Sequence, residues 1–155
     1  MMKLYLVQHA EAMSEERDPD RPLTANGVED TRRVAALLKD SGQVALERIL
    51  HSGKLRAQQT AEIIAQDLEP ASGVEQADDL GPLDETTIWA EKAAGSEGDL
   101  MLVGHLPYMS RMAARLLTGD PDREVVSVRN AGVICIEVDK DANGVLQWEV
   151  IPALV

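Results

Sequence analysis

Each of the three histidines in this sequence stands at the end of an apolar run that predicts a β-strand. These are His9 after residues 3–7, His51 at the end of residues 48–51, and His105 after residues 100–103. In an open α/β sheet, ligands bind outside the carboxyl ends of the strands. One such histidine alone is more often structural, but three in equivalent positions favour a common site. An imidazole there can act as a nucleophile or as an acid or base.

Two arginines indicate what such a site would bind. Arg56 lies in the first turn of the helix predicted after the second strand, beside free backbone N–H groups, and Arg21 precedes Pro22 in a loop. Guanidinium groups at a helix N-terminus predict an anion site that holds a phosphoryl or carboxylate group. The same two cations would repel a divalent metal ion, so we expect no three-histidine zinc site.

The elements that must position these groups follow from hydrophobic spacing and from capping residues. The first half of the chain predicts strand 3–7, loop 11–21, a helix capped by Thr24 and ended by Ser41-Gly42, strand 48–51, and a helix opened by Ser52 and stopped before Pro70. A short strand near Val74, helix 87–94, strand 100–103 and a helix from Met109 to Gly119 follow. The last elements are strand 125–128 and strands 133–138 and 145–151 around Asn143-Gly144.

This order predicts an α/β fold: a three-layer α/β/α sandwich with a mostly parallel central sheet and an antiparallel C-terminal hairpin. Residues 1–155 are expected to form a single domain. Only about 30 residues separate the second helix from the strand at Leu100, which is too few for a large lid insertion.

Composition excludes several classes of partner. The net charge is −12, and residues 62–99 alone hold 11 acidic residues and one Lys. We therefore expect neither a nucleic-acid nor a membrane partner, and no run of 18 apolar residues predicts a membrane span. The single Cys135 cannot form an internal disulfide, which favours a reducing cytoplasm.

Four motifs in this order resemble those of a known family. They are Leu6-Val7-Gln8-His9-Ala10, Arg21-Pro22-Leu23-Thr24, Ser52-x3-Arg56-Ala57-x-Gln59-Thr60 and Val103-Gly104-His105-Leu106-Pro107. Over nearly its whole length the chain resembles the histidine phosphatase superfamily, also called phosphoglycerate-mutase-like. Within that superfamily it is most similar to the small SixA-type phosphohistidine phosphatases.

The resemblance implies a role for each matching residue. His9 would be the catalytic nucleophile that accepts the phosphoryl group, and His105 a second catalytic histidine that stabilises this group during transfer. Arg21 and Arg56 would bind the phosphate, together with Gln8. Such a hydrolase needs no metal and no other cofactor, because guanidinium groups supply the positive charge.

The chain departs from the family pattern at Gln8 and Ala10, where the motif has Arg and Gly. The Gln8 amide can donate a hydrogen bond but carries no charge, at a cost of about 1–2 kcal/mol of phosphate binding. A proton donor is also hard to identify. Asp84 and Glu85 are the nearest candidates by order, and Glu11 and Asp18 are further ones.

The favoured substrate is phosphohistidine on a protein, such as a histidine phosphotransfer domain. An imidazole leaves phosphorus more easily than an alkoxide, and a site without a lid admits a protein side chain. Two alternatives remain: a phosphate- or phosphoprotein-binding protein of the same fold, with catalysis weakened by Gln8, and a phosphatase for small phosphate esters.

Other polar residues near these motifs have simpler interpretations. His51 is expected to be structural, and Ser52 to cap the second helix. Thr60 would buttress Arg56 from one turn along this helix. Asn130 would orient polar groups at the site or form a turn.

Overall fold

A computed structural model, which describes all residues 1–155, shows one six-stranded sheet in the order β3-β2-β4-β1-β5-β6. The strands are β1 (Met2–Gln8), β2 (Arg48–His51), β3 (Val74–Gln76), β4 (Leu100–Gly104), β5 (Val133–Val138) and β6 (Gly144–Val150). The pairs β1–β4, β4–β2 and β2–β3 are parallel, whereas β5 and β6 are antiparallel to their neighbours. The predicted mixed sheet is confirmed.

Four helices cover the two faces of the sheet. They are α1 (Ala25–Ser41), α2 (Leu55–Leu68), α3 (Thr86–Ala94) and α4 (Tyr108–Thr118), followed by a 3-10 turn at Pro152–Leu154. One hydrophobic cluster joins α1 and α2 to the sheet, and a second joins α3 and α4 to it. The predicted three-layer sandwich is therefore confirmed.

Helix α1 begins and ends where its capping residues predict. The Thr24 hydroxyl accepts a hydrogen bond from the Gly27 N–H at 2.9 Å, which satisfies one free donor of the first turn. At the other end Gly42 adopts a left-handed conformation, with φ of 67°, and its N–H bonds to the Lys39 carbonyl. This helix follows the loop that carries Arg21.

Two predicted elements differ from the structure. Helix α2 begins at Leu55, with Lys54 rather than Ser52 at its N-cap, because the Ser52 side chain turns towards His105 instead of the helix. Residues 125–128 form no strand. Both edges of β1 are already paired with β4 and β5, and only Asn130 bridges to Gln8.

The C-terminal hairpin forms as predicted, but its turn is wider than the Asn143-Gly144 pair. The Asp139 carboxylate accepts bonds from the N–H groups of Asp141 and Asn143, both at 2.9 Å. Gly144 belongs to β6, where a Cβ atom would lie 2.6 Å from the Ile136 side chain. Here glycine permits close packing and does not form the turn.

No helix of the fold is both long and apolar enough to cross a membrane.

Candidate active site

The sheet order brings the two catalytic candidates together. His9 follows β1 and His105 follows β4, and these strands are adjacent and parallel. The His9 N–H bonds to the Gly104 carbonyl at 2.9 Å, which closes the ladder at the point where both chains leave the sheet. The ring centroids of the two histidines are 5.2 Å apart. His9 and His105 therefore meet at the carboxyl edge of the sheet, as the sequence predicts.

The His9 ring is held in one tautomer. Its Nδ1 lies 2.7 Å from the Ala10 carbonyl oxygen, which can only accept, so Nδ1 carries the hydrogen. Nε2 is then left with a free lone pair. Burial lowers the pKa of His9, and the charges of Arg56 and Arg21 lower it further, against the raising effect of the Ala10 carbonyl. The ring is thus neutral and nucleophilic near neutral pH.

The His105 ring is held through Nε2, whereas the His9 ring is held through Nδ1. Its Nε2 lies 2.7 Å from the Ser52 hydroxyl oxygen, which also accepts the Lys54 N–H at 3.4 Å. The hydroxyl has one hydrogen and two lone pairs, so it can donate to Nε2 or accept from it. The Nδ1 atom is buried and has no partner. This nitrogen is therefore free to form a hydrogen bond with a ligand.

Burial lowers the pKa of His105 to about 3, and the neighbouring His9, Arg56, Lys54 and Arg21 contribute in that order. The ring is only 2% exposed, so a charge on it would lack solvation. His105 therefore stays neutral over the whole physiological range, as a hydrogen-bond donor with no net charge.

Two guanidinium groups lie next to these rings. Arg56 is in the first turn of α2, and its Nε is buried without a partner. Burial and the charge of Arg21 both lower the pKa of Arg56. Arg21 donates from Nε to the Met13 carbonyl at 2.9 Å, which fixes its position. Neither forms a salt bridge, and the carboxylate that acts on Arg56, Glu15, raises its pKa less than burial and Arg21 lower it.

Gln8 ends β1 and is 6% exposed, with an Oε1 that has no hydrogen-bond partner. Its main chain bridges to Asn130, and its carbonyl accepts the Ala131 N–H at 2.9 Å. Asn130 thus joins the end of β1 to the segment that enters β5. The buried amide adds a polar group to this edge of the sheet but no charge.

Helix α2 fixes both loops around the histidine pair. The Thr60 hydroxyl accepts the Ala10 N–H at 3.0 Å and donates to the Arg56 carbonyl at 2.8 Å. Gln59 accepts the Leu23 N–H at 2.8 Å, beside Arg21. The predicted contact of Thr60 with Arg56 is therefore to its main chain, and Thr60 also anchors the loop after His9.

The proton-donor candidates have other structural partners. Asp84 accepts the Gly81 N–H at 2.7 Å, and Glu85 caps α3 through Thr87. Both line a cavity of about 470 Å³ that includes neither His9 nor His105. Glu11 accepts from Thr24 at 2.7 Å, and Asp18 accepts the Asp20 N–H at 3.0 Å. None of the four carboxylates is hydrogen-bonded to either histidine.

His51 lies at the end of β2 but does not share the contacts of the histidine pair. Its Nδ1 accepts the Gly53 N–H at 3.0 Å, and burial lowers its pKa. No group of three or more His, Cys, Asp or Glu side chains is arranged to hold a metal ion. The three cavities of the protein are lined by residues other than His9, His105, Arg21 and Arg56.

The arrangement can support covalent catalysis on an anion. The site combines a free imidazole lone pair on His9, a second neutral imidazole with an unpartnered nitrogen, and two guanidinium groups that form no salt bridge. The sequence singles out each of these residues, and it places Gln59 in the third motif without giving it a role.

Comparisons with known proteins agree with this geometry. Residues 4–85 match the family model of the histidine phosphatase superfamily (branch 1). The chain is 28% identical to phosphohistidine phosphatase SixA of Escherichia coli (strain K12), over 97% of this chain and 94% of the relative. A structure of the protein histidine phosphatase SixA complexed with tungstate superposes with a TM-score of 0.87, at 26% identity and 99% coverage of both chains. A phosphoglycerate mutase of Plasmodium falciparum, 18% identical, shares the fold with a TM-score of 0.65, over 95% of this chain and 89% of the mutase.

Proposed function

The chain belongs to the histidine phosphatase superfamily, and from that premise we propose that it hydrolyses phosphohistidine on a protein through a phosphorylated His9. The observation that carries the proposal is the bond from His9 Nδ1 to the Ala10 carbonyl, which leaves Nε2 as the free nucleophile beside His105. The other polar groups of the site then serve to hold the phosphoryl group.

The reaction has two steps. His9 Nε2 attacks phosphorus, a new P–N bond forms and the P–N bond of the substrate breaks. The electron pair of that bond stays on the departing imidazole, which takes its proton from solvent. Water then attacks the phosphorylated His9, and the P–N bond to His9 breaks, which releases inorganic phosphate and restores the free imidazole.

The cations and His105 stabilise the transferring group. Arg56 and Arg21 neutralise charge on the equatorial oxygens, and phosphoryl transfer demands mainly such positioning and charge stabilisation. His105 donates from Nδ1 to one oxygen, because Ser52 occupies its Nε2. Gln8 contributes its amide hydrogens without charge.

The surroundings of the histidines favour phosphohistidine over an ester. An alkoxide leaving group requires a general acid, and no carboxylate is bonded to either histidine, whereas imidazole departs with solvent as proton source. The similar SixA sequence is named a phosphohistidine phosphatase and the similar SixA structure a protein histidine phosphatase, which supports the same substrate class; the tungstate in that structure is, like phosphate, an oxyanion.

The test compares substrates directly. The purified protein and a His9→Ala variant are incubated with a phosphohistidine-bearing phosphotransfer domain and with small phosphate esters. We expect His9-dependent loss of phosphohistidine at a kcat/KM well above that for any ester. Tight binding of the phosphoprotein without turnover would contradict the proposal and indicate a binding protein, and faster ester cleavage would indicate a small-molecule phosphatase.

A further inference from the structure

The site has one neutral group where its chemistry favours a cation. Gln8 is buried at the end of β1 with an unpartnered Oε1, and it stands at the position where the resembling motif has Arg. A phosphoryl group carries nearly two negative charges, and neutral hydrogen bonds hold it less strongly than charge-assisted ones. Arg56 and Arg21 alone then supply the charge, unless another cation is present.

Lys54 lies where such a cation is needed. Its main-chain N–H donates to the Ser52 hydroxyl, and the same hydroxyl contacts His105 Nε2 at 2.7 Å, so one side chain separates the Lys54 main chain from His105. The Lys54 side chain is exposed and has no salt bridge or hydrogen bond. Its charge lowers the pKa of His105 more than that of Arg21 does.

Stability does not explain a lysine at this position. Lys54 is the N-cap of α2, and its side chain makes no capping bond. A positive charge at this end opposes the helix dipole, and Ser or Asp would cap the helix better. Lys92, by contrast, has a contact that explains it, since its ammonium group lies over the Trp89 ring at 4.8 Å. Because lysine at this N-cap does not favour helix stability, we attribute it to a role in binding.

We propose that Lys54 is a phosphate-binding residue that replaces the charge absent at Gln8. Its ammonium group, on a flexible four-carbon stem, contacts the phosphoryl oxygens from the α2 side of the site, while Gln8 contributes an amide from β1. This assignment rests on the proposed phosphatase function, and it adds a third cation to Arg21 and Arg56.

Lys54→Ser tests the assignment without endangering the fold, because Ser is a better N-cap. We expect a five- to twentyfold loss of kcat/KM on the phosphohistidine-bearing domain, mostly through KM, with unfolding stability equal to or above that of the parent. Lys140→Ser, in the exposed hairpin turn, removes the same charge away from the site and should leave both constants within twofold. A Lys54→Ser effect no larger than that of Lys140→Ser would overturn the proposal.

A second background tests the compensation itself. In Gln8→Arg protein we expect Lys54→Ser to lower kcat/KM less than threefold, because the arginine supplies the charge; an equal loss in both backgrounds would contradict the compensation. Binding of tungstate, measured by calorimetry, is a separate readout. Lys54→Ser should weaken it at least fivefold even if the parent turns over no phosphohistidine, so failure of the proposed function and failure of this assignment can be told apart.

Discussion

The Ser52 hydroxyl oxygen lies 2.7 Å from Nε2 of His105, on the side of the ring opposite the unpartnered Nδ1. Ser52 therefore restrains the orientation of the ring. The hydroxyl in turn accepts the Lys54 N–H at the start of α2. The short segment between β2 and α2 thus positions His105 and carries Lys54, and Arg56 follows in the first turn of α2.

Ser52→Ala should lower kcat about five- to tenfold with little change in KM, since a lost orienting hydrogen bond is worth about 1 kcal/mol. Steady-state kinetics on a phosphohistidine protein checks this. Ser52→Thr keeps the hydroxyl and should retain most of the activity. If Ser52→Ala turns over at the parent rate, His105 is held by other contacts.

Thr60→Val should both destabilise the protein and lower its kcat. The Ala10 N–H would lose its acceptor in a fully buried position, at about 1–3 kcal/mol, and the loop after His9 would lose its anchor to α2. Urea unfolding and kcat measure the two effects. Thr31→Val is the matched control: it removes a buried bond within α1, from Thr31 to the Gly27 carbonyl, and should affect stability alone.

Much of this site could be predicted because strand ends, caps and cations are local features of the sequence. The placement of His9 beside His105 followed from the parallel order of the strands. The Ser52 contact could not be predicted, because a serine before a helix is usually its cap, and only the register of β2 against β4 turns it towards His105.

The strand predicted at residues 125–128 was wrong for a similar reason: strand pairing is not visible in the local sequence. Its β-branched residues satisfy a strand pattern, yet Val126 packs into the core from an irregular segment while Val125 is 49% exposed. Whether such a segment pairs depends on a free edge in the sheet, and that is a property of the whole fold.

Gly27→Ala should lower the free energy of unfolding by about 1–3 kcal/mol, although alanine favours helix formation. A Cβ atom at Gly27 would lie 2.2 Å from the Glu11 carbonyl oxygen, in the loop between His9 and Arg21. Urea unfolding measures the change. Gly95→Ala, where the nearest atom is 3.7 Å away, should change stability far less. Equal effects at the two glycines would show that the loop accommodates the methyl group.

Acidification from pH 7 to 5 should lower stability through the buried histidines. The folded-state pKa of His105 is about 3, and those of His9 and His51 are also lowered, so below the ordinary pKa of 6.5 the unfolded chain takes up protons that the folded protein does not. The stability that these histidines contribute is therefore fully present above pH 6.5 and is lost as the pH falls towards 3. The free energy of unfolding, measured in urea at pH 7 and at pH 5, should fall less in His105→Gln than in the parent. An equal fall in the two proteins would contradict the lowered pKa of His105.

The central claim is that a phosphoryl group passes through His9. Rapid acid-free quenching after mixing with a ³²P-labelled phosphohistidine protein should trap label on the enzyme, stable in base and lost in acid, as expected for a P–N bond. Peptide mapping should place this label on His9, and His9→Gln should trap none. Release of phosphate at the parent rate by His9→Gln, or label on any other residue, would contradict the account.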